Sequence, residues 1–112
     1  MSDDTLLIIT AFPDPESAER AARALVEQAL AACVNVLAAC YSVYRWQGKV
    51  ERATEIPLFI KTTRSRYAAV EARIRALHPY ELPEIIALPL AAGLPAYLEW
   101  VKSETEPPCQ VC

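Results

Sequence analysis

Four runs of this chain are strand-like, and the sheet they would form looks largely apolar on both faces, which narrows the possible folds more than any other feature. They are "TLLIITAF" (Thr5 to Phe12), "CVNVLAACYSVYRW" (Cys33 to Trp46), "VERATEIPLFIKTT" (Val50 to Thr63) and "EIIALPL" (Glu84 to Leu90). Leu7, Ile9, Val34, Val36, Ile56, Leu58, Ile60, Ile86 and Leu88 sit beside neighbours that are themselves largely apolar. A sheet built from such strands has to be covered twice. Helices from the same chain can cover one face, and the other is expected to pack against further copies under closed symmetry. The chain has 112 residues, of which 54% are hydrophobic. That length suits one domain, and so apolar a composition is more than one small monomer can hide.

Between the strands the period changes. Asp14 is placed to cap a helix with Pro15 at its first position, and Ala18, Ala21, Ala22, Leu25, Val26 and Ala29 recur at helical spacing. Ser65 is expected to cap a second helix with Tyr67, Val70, Ile74 and Leu77 on its apolar side, ending before Pro79. Gly93 and Pro95 open a third, carrying Leu94, Tyr97, Leu98 and Val101. Gly48 turns the second run into the third, so the two read as one long hairpin. Pro57 cannot donate a ladder hydrogen bond and marks a bulge or an unpaired stretch. The order βαββαβ plus a terminal helix predicts an α+β, ferredoxin-like sandwich over residues 1–104, followed by a mobile tail over residues 105–112.

Composition removes several function classes. Net charge is −3 with both signs mixed along the chain, so no basic stripe exists to follow a nucleic-acid backbone. The acidic start "MSDDT" lacks a secretory n-region, and the longest uncharged run, Gln28 to Tyr44, is too short for a bilayer span. A cytoplasmic protein with reduced cysteines and no membrane partner is expected. Only Gly48 and Gly93 are present, so there is no Gly-rich phosphate loop, and no nucleophile and base stand at a recognisable spacing. The expectation is a protein that is not an enzyme.

A few residues could carry chemistry. His78, the single histidine, stands where the second helix must stop; it either caps that helix through a hydrogen bond or contacts a metal or ligand. Lys61 interrupts an apolar strand, and either snorkels to a rim or pairs with a buried acid. Tyr44 and Trp46 alternate near the hairpin end as interface anchors or as a stacking wall for a ligand. Glu84 is a salt-bridge or capping residue, and the prolines around it keep Glu81 and Glu84 from forming a helical carboxylate pair. Cys33 and Cys40, seven apart on one expected strand, point to opposite faces and cannot share an ion within a monomer. Cys109 and Cys112 have the C-x-x-C spacing of a thiolate grip on zinc or monovalent copper.

"LAACVNVL" (Leu30 to Leu37), "YRWQGKVE" (Tyr44 to Glu51), "FIKTT" (Phe59 to Thr63), "HPYELPEIIALP" (His78 to Pro89) and "YLEWV" (Tyr97 to Val101) together resemble the CutA divalent-cation-tolerance family. The resemblance runs in order from about Leu6 to about Ser103. It implies a cytoplasmic homotrimer of PII-like architecture, in which the hairpin reaches onto a neighbour. It also implies a role in tolerance of copper and other divalent ions, with a metal or small ligand held at inter-subunit clefts near His78, Tyr44, Trp46, Lys61 and Glu84. The copper-binding pattern of the family has a cysteine ending the first strand and two successive histidines after the second helix. Thr10 and Leu77 stand at two of those three positions, leaving His78. A copper or zinc ion is therefore expected to be held weakly or non-obligately. The alternative is a PII-like signalling or scaffold trimer that binds a small metabolite; an enzyme with His78 as base and Lys61 as electrostatic stabiliser is the third reading.

Overall fold

The computed structural model describes residues 4–107. Its elements are β1 (Thr5–Phe12), α1 (Pro15–Glu27), β2 (Cys33–Val36), β3 (Cys40–Trp46), β4 (Lys49–Thr63), α2 (Tyr67–Leu77), β5 (Ile85–Pro89) and α3 (Pro95–Glu104). The sheet order is β2-β4-β1-β5, antiparallel throughout, with β3 pairing along the outer half of β4. Counting β2 and β3 as two halves of one strand, this is the ferredoxin-like βαββαβ arrangement.

β4 is the spine. Fifteen residues at about 3.4 Å each span about 50 Å, and the molecule measures 50 × 30 × 24 Å. The inner half of β4 pairs with β1 and β2; the outer half carries only β3 and projects as a hairpin. Its turn places Gln47 (φ 51°) and Gly48 (φ 80°) in the left-handed region, the two-residue primed turn that matches strand twist.

The expected single strand from Cys33 to Trp46 is two. Three residues, Leu37 to Ala39, lie between the partners of Leu58 and Glu55, where β4 has only Ile56 and Pro57. Pro57 explains the break. Its carbonyl accepts from the Leu37 N–H at 2.9 Å, and because a strand residue's N and C=O point the same way, its missing N–H faces this gap. The expected bulge is found, and Cys33 and Cys40 belong to different strands.

α1 and α2 cover one face, packing Ala18, Ala21, Leu25, Val70 and Ile74 against Ile8, Phe12, Leu58 and Ile60. The register divides the apolar residues named above between the two faces. Val34, Val36, Ile56, Leu58 and Ile60 belong to the helix-covered side, because Val34 opposes Ile60 and Val36 opposes Leu58. Leu7, Ile9, Ile86 and Leu88 oppose one another and Phe59 on the other side. α3 lies towards that second face, with Tyr97 against Cys33, and buries Val101 completely.

Helix ends follow local chemistry. The Asp14 carboxylate accepts from the Ser17 N–H at 2.8 Å, as a cap should. α1 closes on Ala29, left-handed at φ 56°, with N–H bonds from Ala29 to Val26 and from Leu30 to Leu25. This is the Schellman pattern, with alanine at the position glycine usually takes. Ser65 does not cap α2 as expected: it lies inside a 3₁₀ turn, Arg64–Arg66, and α2 begins at Tyr67. The folded region continues to Thr105, which is buried and donates its hydroxyl to the Val101 carbonyl at 2.8 Å.

Candidate functional site

Beyond the end of β1, the inner side of the hairpin faces the loop from Pro79 to Glu84 across a cleft of about 950 Å³. Ser42, Tyr44 and Trp46 come from alternate positions of β3 and so share a face. Glu55 joins them from β4, where it opposes Cys40. The opposite wall is Pro79, Tyr80, Glu81, Leu82, Pro83 and Glu84, continuing into Ile85 and Ile86 of β5. Three of these lining side chains are carboxylates, three are large aromatics, and none is Lys, Arg or His.

His78 braces this wall from behind. It is the residue on which α2 ends, and it is buried. Its Nε2–H donates to the Ala11 carbonyl at 2.6 Å, while Nδ1 accepts from the Tyr80 N–H at 3.1 Å. The ring lies between Phe12 and Tyr80, with centroids 4.4 and 4.7 Å away. Both nitrogens are thus spent on the fold, tying the end of β1 to the cleft loop. The expected metal-ligand role is corrected accordingly: a ring whose two nitrogens are engaged has no lone pair for a cation.

Of the four residues expected around the cleft, the structure brings together Tyr44, Trp46 and Glu84. Lys61 is elsewhere. It sits on the open face of the sheet opposite Leu7 and Cys33, donating to the Asn35 side-chain carbonyl. Within one chain, the His78 base and the Lys61 stabiliser of the third reading are therefore not brought together. Sequence reasoning left Ser42, Glu55 and Tyr80 out of the site. Ser42 follows from strand alternation with Tyr44, but Glu55 required the hairpin register, which the Gln47–Gly48 turn sets.

The cleft is electrostatically negative. Ser42 donates its hydroxyl to Glu55 at 2.6 Å. Burial raises the Tyr80 phenol above its ordinary value, and the neighbouring Glu55, Tyr44 and Asp14 push it further, so Tyr80 stays a neutral hydrogen-bond donor at and well above neutral pH. Glu81 and Glu84 have no hydrogen bond or ion pair among the described residues, and both are exposed. Yet among those residues no group of three or more His, Cys, Asp or Glu side chains is gathered to hold a metal ion.

Residues 6–104 match the family model described as CutA1 divalent ion tolerance protein. The chain belongs to the CutA1 family. It is 44% identical over 99 residues to the divalent-cation tolerance protein CutA of Thermus thermophilus, covering 88% of this chain and 96% of that one. Mouse protein CutA is 46% identical over 94 residues, which are 84% of this chain but only 53% of the mouse protein. Among solved structures, CutA from Xylella fastidiosa superposes with a TM-score of 0.89 at 48% identity, covering 92% of this chain and 99% of that one. The Thermus thermophilus structure gives 0.90 at 43% identity, with 91% and 99% covered.

Within this family the three positions of the copper pattern do not form a metal site here. Thr10 is fully buried on the helix-covered side, and its hydroxyl has no partner. Leu77 packs against the hydrophobic core, and His78 is committed as described. An alcohol, an alkyl group and a saturated imidazole do not fit copper, whose sites need several free N or S donors. Cys109 and Cys112, with their C-x-x-C spacing, lie outside the described residues.

Proposed function

We propose that this member of the CutA1 family serves tolerance of divalent metal ions as a non-catalytic, cytoplasmic homotrimer that takes up its metal ion or small ligand at the hairpin cleft. The observation that carries the reading is the cleft lining: Glu55, Glu81 and Glu84 beside Tyr44, Trp46 and Tyr80, without a single cationic side chain. Such a lining attracts cations by charge alone. Since one chain gathers no three-ligand cluster among its described residues, the ion is held weakly unless a neighbouring copy completes its coordination. Support for assembly comes from Ile86 and Leu88, about half exposed on the uncovered face, and from Tyr41, Val43 and Val50 on the hairpin, each more than 60% exposed. So much apolar surface is unusual on a stable monomer.

Size favours a second reading. A cleft of about 950 Å³ is far larger than an ion needs and lies within the range of small-molecule sites. It suits a PII-like trimer that senses a metabolite and relays it through the hairpin. Relatives are described as a chloroplastic protein from Arabidopsis thaliana and as a periplasmic one from Archaeoglobus fulgidus, and the cytoplasmic assignment is tested by fractionation. Calorimetry with copper and zinc tests the metal role directly. Uptake is expected to persist in a chain ending after Thr105 and to fall at least tenfold in Glu81→Gln/Glu84→Gln. Uptake lost on truncation alone would move the metal to the tail and remove the cleft from the account.

A further inference from the structure

We propose that the small ligand of the cleft is an organic cation, a small aliphatic ammonium or guanidinium compound. This deepens the reading above and rests on the cleft being the binding site. Four observations converge on it. Negative charge is present, but the carboxylates form no cluster of three that could hold a metal ion among the described residues. A small hard ion needs several oxygens at bonding distance, so it gains little from carboxylates spread along two walls. An alkylammonium or guanidinium group needs no such convergence, because it is satisfied by one or two carboxylates and a ring face.

The rings are there. Tyr44 and Trp46 form one wall and Tyr80 stands on the other, each partly exposed (44%, 41% and 38%) where an incoming group can stack on it. Tyr80 is also held in place: its N–H is anchored on Nδ1 of His78 and its ring lies 4.7 Å from the imidazole. Preorganised aromatic faces beside free carboxylates are the chemistry that recognises cations with a carbon body. Apolar lining from Leu82 and Pro83 gives that body somewhere to lie. A divalent ion has no use for these groups, and an anion would meet three carboxylates. The two unpartnered acids, Glu81 and Glu84, lie on the loop wall, so a chain bearing a positive group at each end would engage both walls, with Glu55 supplying the counter-charge on the hairpin side.

The test is a titration of the assembled full-length protein with 1,6-diaminohexane, 1,6-hexanediol and zinc. Trp46 fluorescence is read in a Trp100→Phe background, which leaves one reporter. Saturable binding of the diamine is expected, with the diol at least tenfold weaker. Glu81→Gln/Glu84→Gln is expected to weaken the diamine at least tenfold, and Trp46→Phe to weaken it severalfold when read by calorimetry. Equal response to diol and diamine, or an unchanged diamine affinity in the double glutamine variant, overturns the proposal. Both substitutions are at exposed sites, so the fold should survive them; thermal unfolding of the variant checks this. Zinc binding at the same groups without diamine binding overturns the organic-cation assignment but keeps the metal-ion reading. Diamine binding without zinc binding does the reverse.

Discussion

At the scale of single residues, two buried side chains, Thr10 and His78, show opposite ways of burying a polar group. Thr10 has no exposed surface and its hydroxyl finds no partner. Burying an unsatisfied hydroxyl carries a desolvation cost that an isosteric methyl avoids. Thr10→Val is therefore expected to raise unfolding stability by about 1 kcal/mol, read from the midpoint of chemical denaturation; a loss of stability would mean that the hydroxyl has a partner after all. His78 is the opposite case, since everything polar on it is satisfied. His78→Ala removes a buried ring packed between Phe12 and Tyr80 together with two hydrogen bonds. About 2–4 kcal/mol of stability should go with it, and amide exchange should rise over residues 79–84, the loop it anchors.

Single elements show where local rules were obeyed and where they were traded for tertiary contacts. α1 ends in a hydrogen-bonding pattern that requires a left-handed residue, and the chain supplies Ala29. Its Cβ is strained in that conformation, while glycine adopts it freely at some cost in unfolded-state entropy. The two effects nearly balance, and Ala29→Gly is expected to stabilise by about 0.5 kcal/mol, visible as a small rise in Tm. This stop was hard to read in advance because alanine gives no signal there. α1's start was plain, since an aspartate followed by proline says cap and first turn in one phrase. Ser65 looked equally plain and misled: the chain enters α2 through a 3₁₀ turn, which puts the cap position at Arg66 and the helix start at Tyr67, one residue later than expected. Pro57 was the most informative strand residue, because a missing donor must face a gap wherever the strand is paired on both sides.

At the scale of the whole molecule, the uncovered apolar surface and the hairpin make the strongest demands. Leu88 is about half exposed and opposite Leu7 on that face. Leu88→Asp should cost an isolated subunit little, while in an assembly it would bury a charge in an apolar contact. Sedimentation is expected to shift from a trimer to monomers, and the thermal midpoint to lose its dependence on protein concentration; an unchanged trimer would put the contact on another surface. The phenols of Tyr67, Tyr80 and Tyr97 are all raised, burial being the largest cause in each, with Glu71, Glu55 and Cys33 respectively adding to it. A raised pKa means that the folded state holds its proton longer than the unfolded one, so the contribution is intact below the ordinary tyrosine value near 10 and is lost as pH rises through the higher folded value. Stability should be level with respect to these groups from pH 7 to 9 and fall from about pH 10 upward. Tyr67→Phe, which also deletes the 2.9 Å bond to Glu71, is expected to shallow that fall.

Periodicity, turn residues and proline positions were enough to specify most of the elements and their order, because each depends on neighbours within a few residues. The family could be recognised for a related reason: its motifs are contiguous strings. Which residues meet was settled by register and by the path of the loop after α2, quantities that depend on pairings between segments far apart in the chain. Lys61 and Glu84 both looked like cleft residues, but a two-residue strand period turns Lys61 onto the open face, and only Glu84 reaches the hairpin. Likewise a lone histidine at a helix stop is ambiguous on paper. Folding resolves it, since the end of β1 brings the Ala11 carbonyl, 67 positions away, within 2.6 Å of the ring.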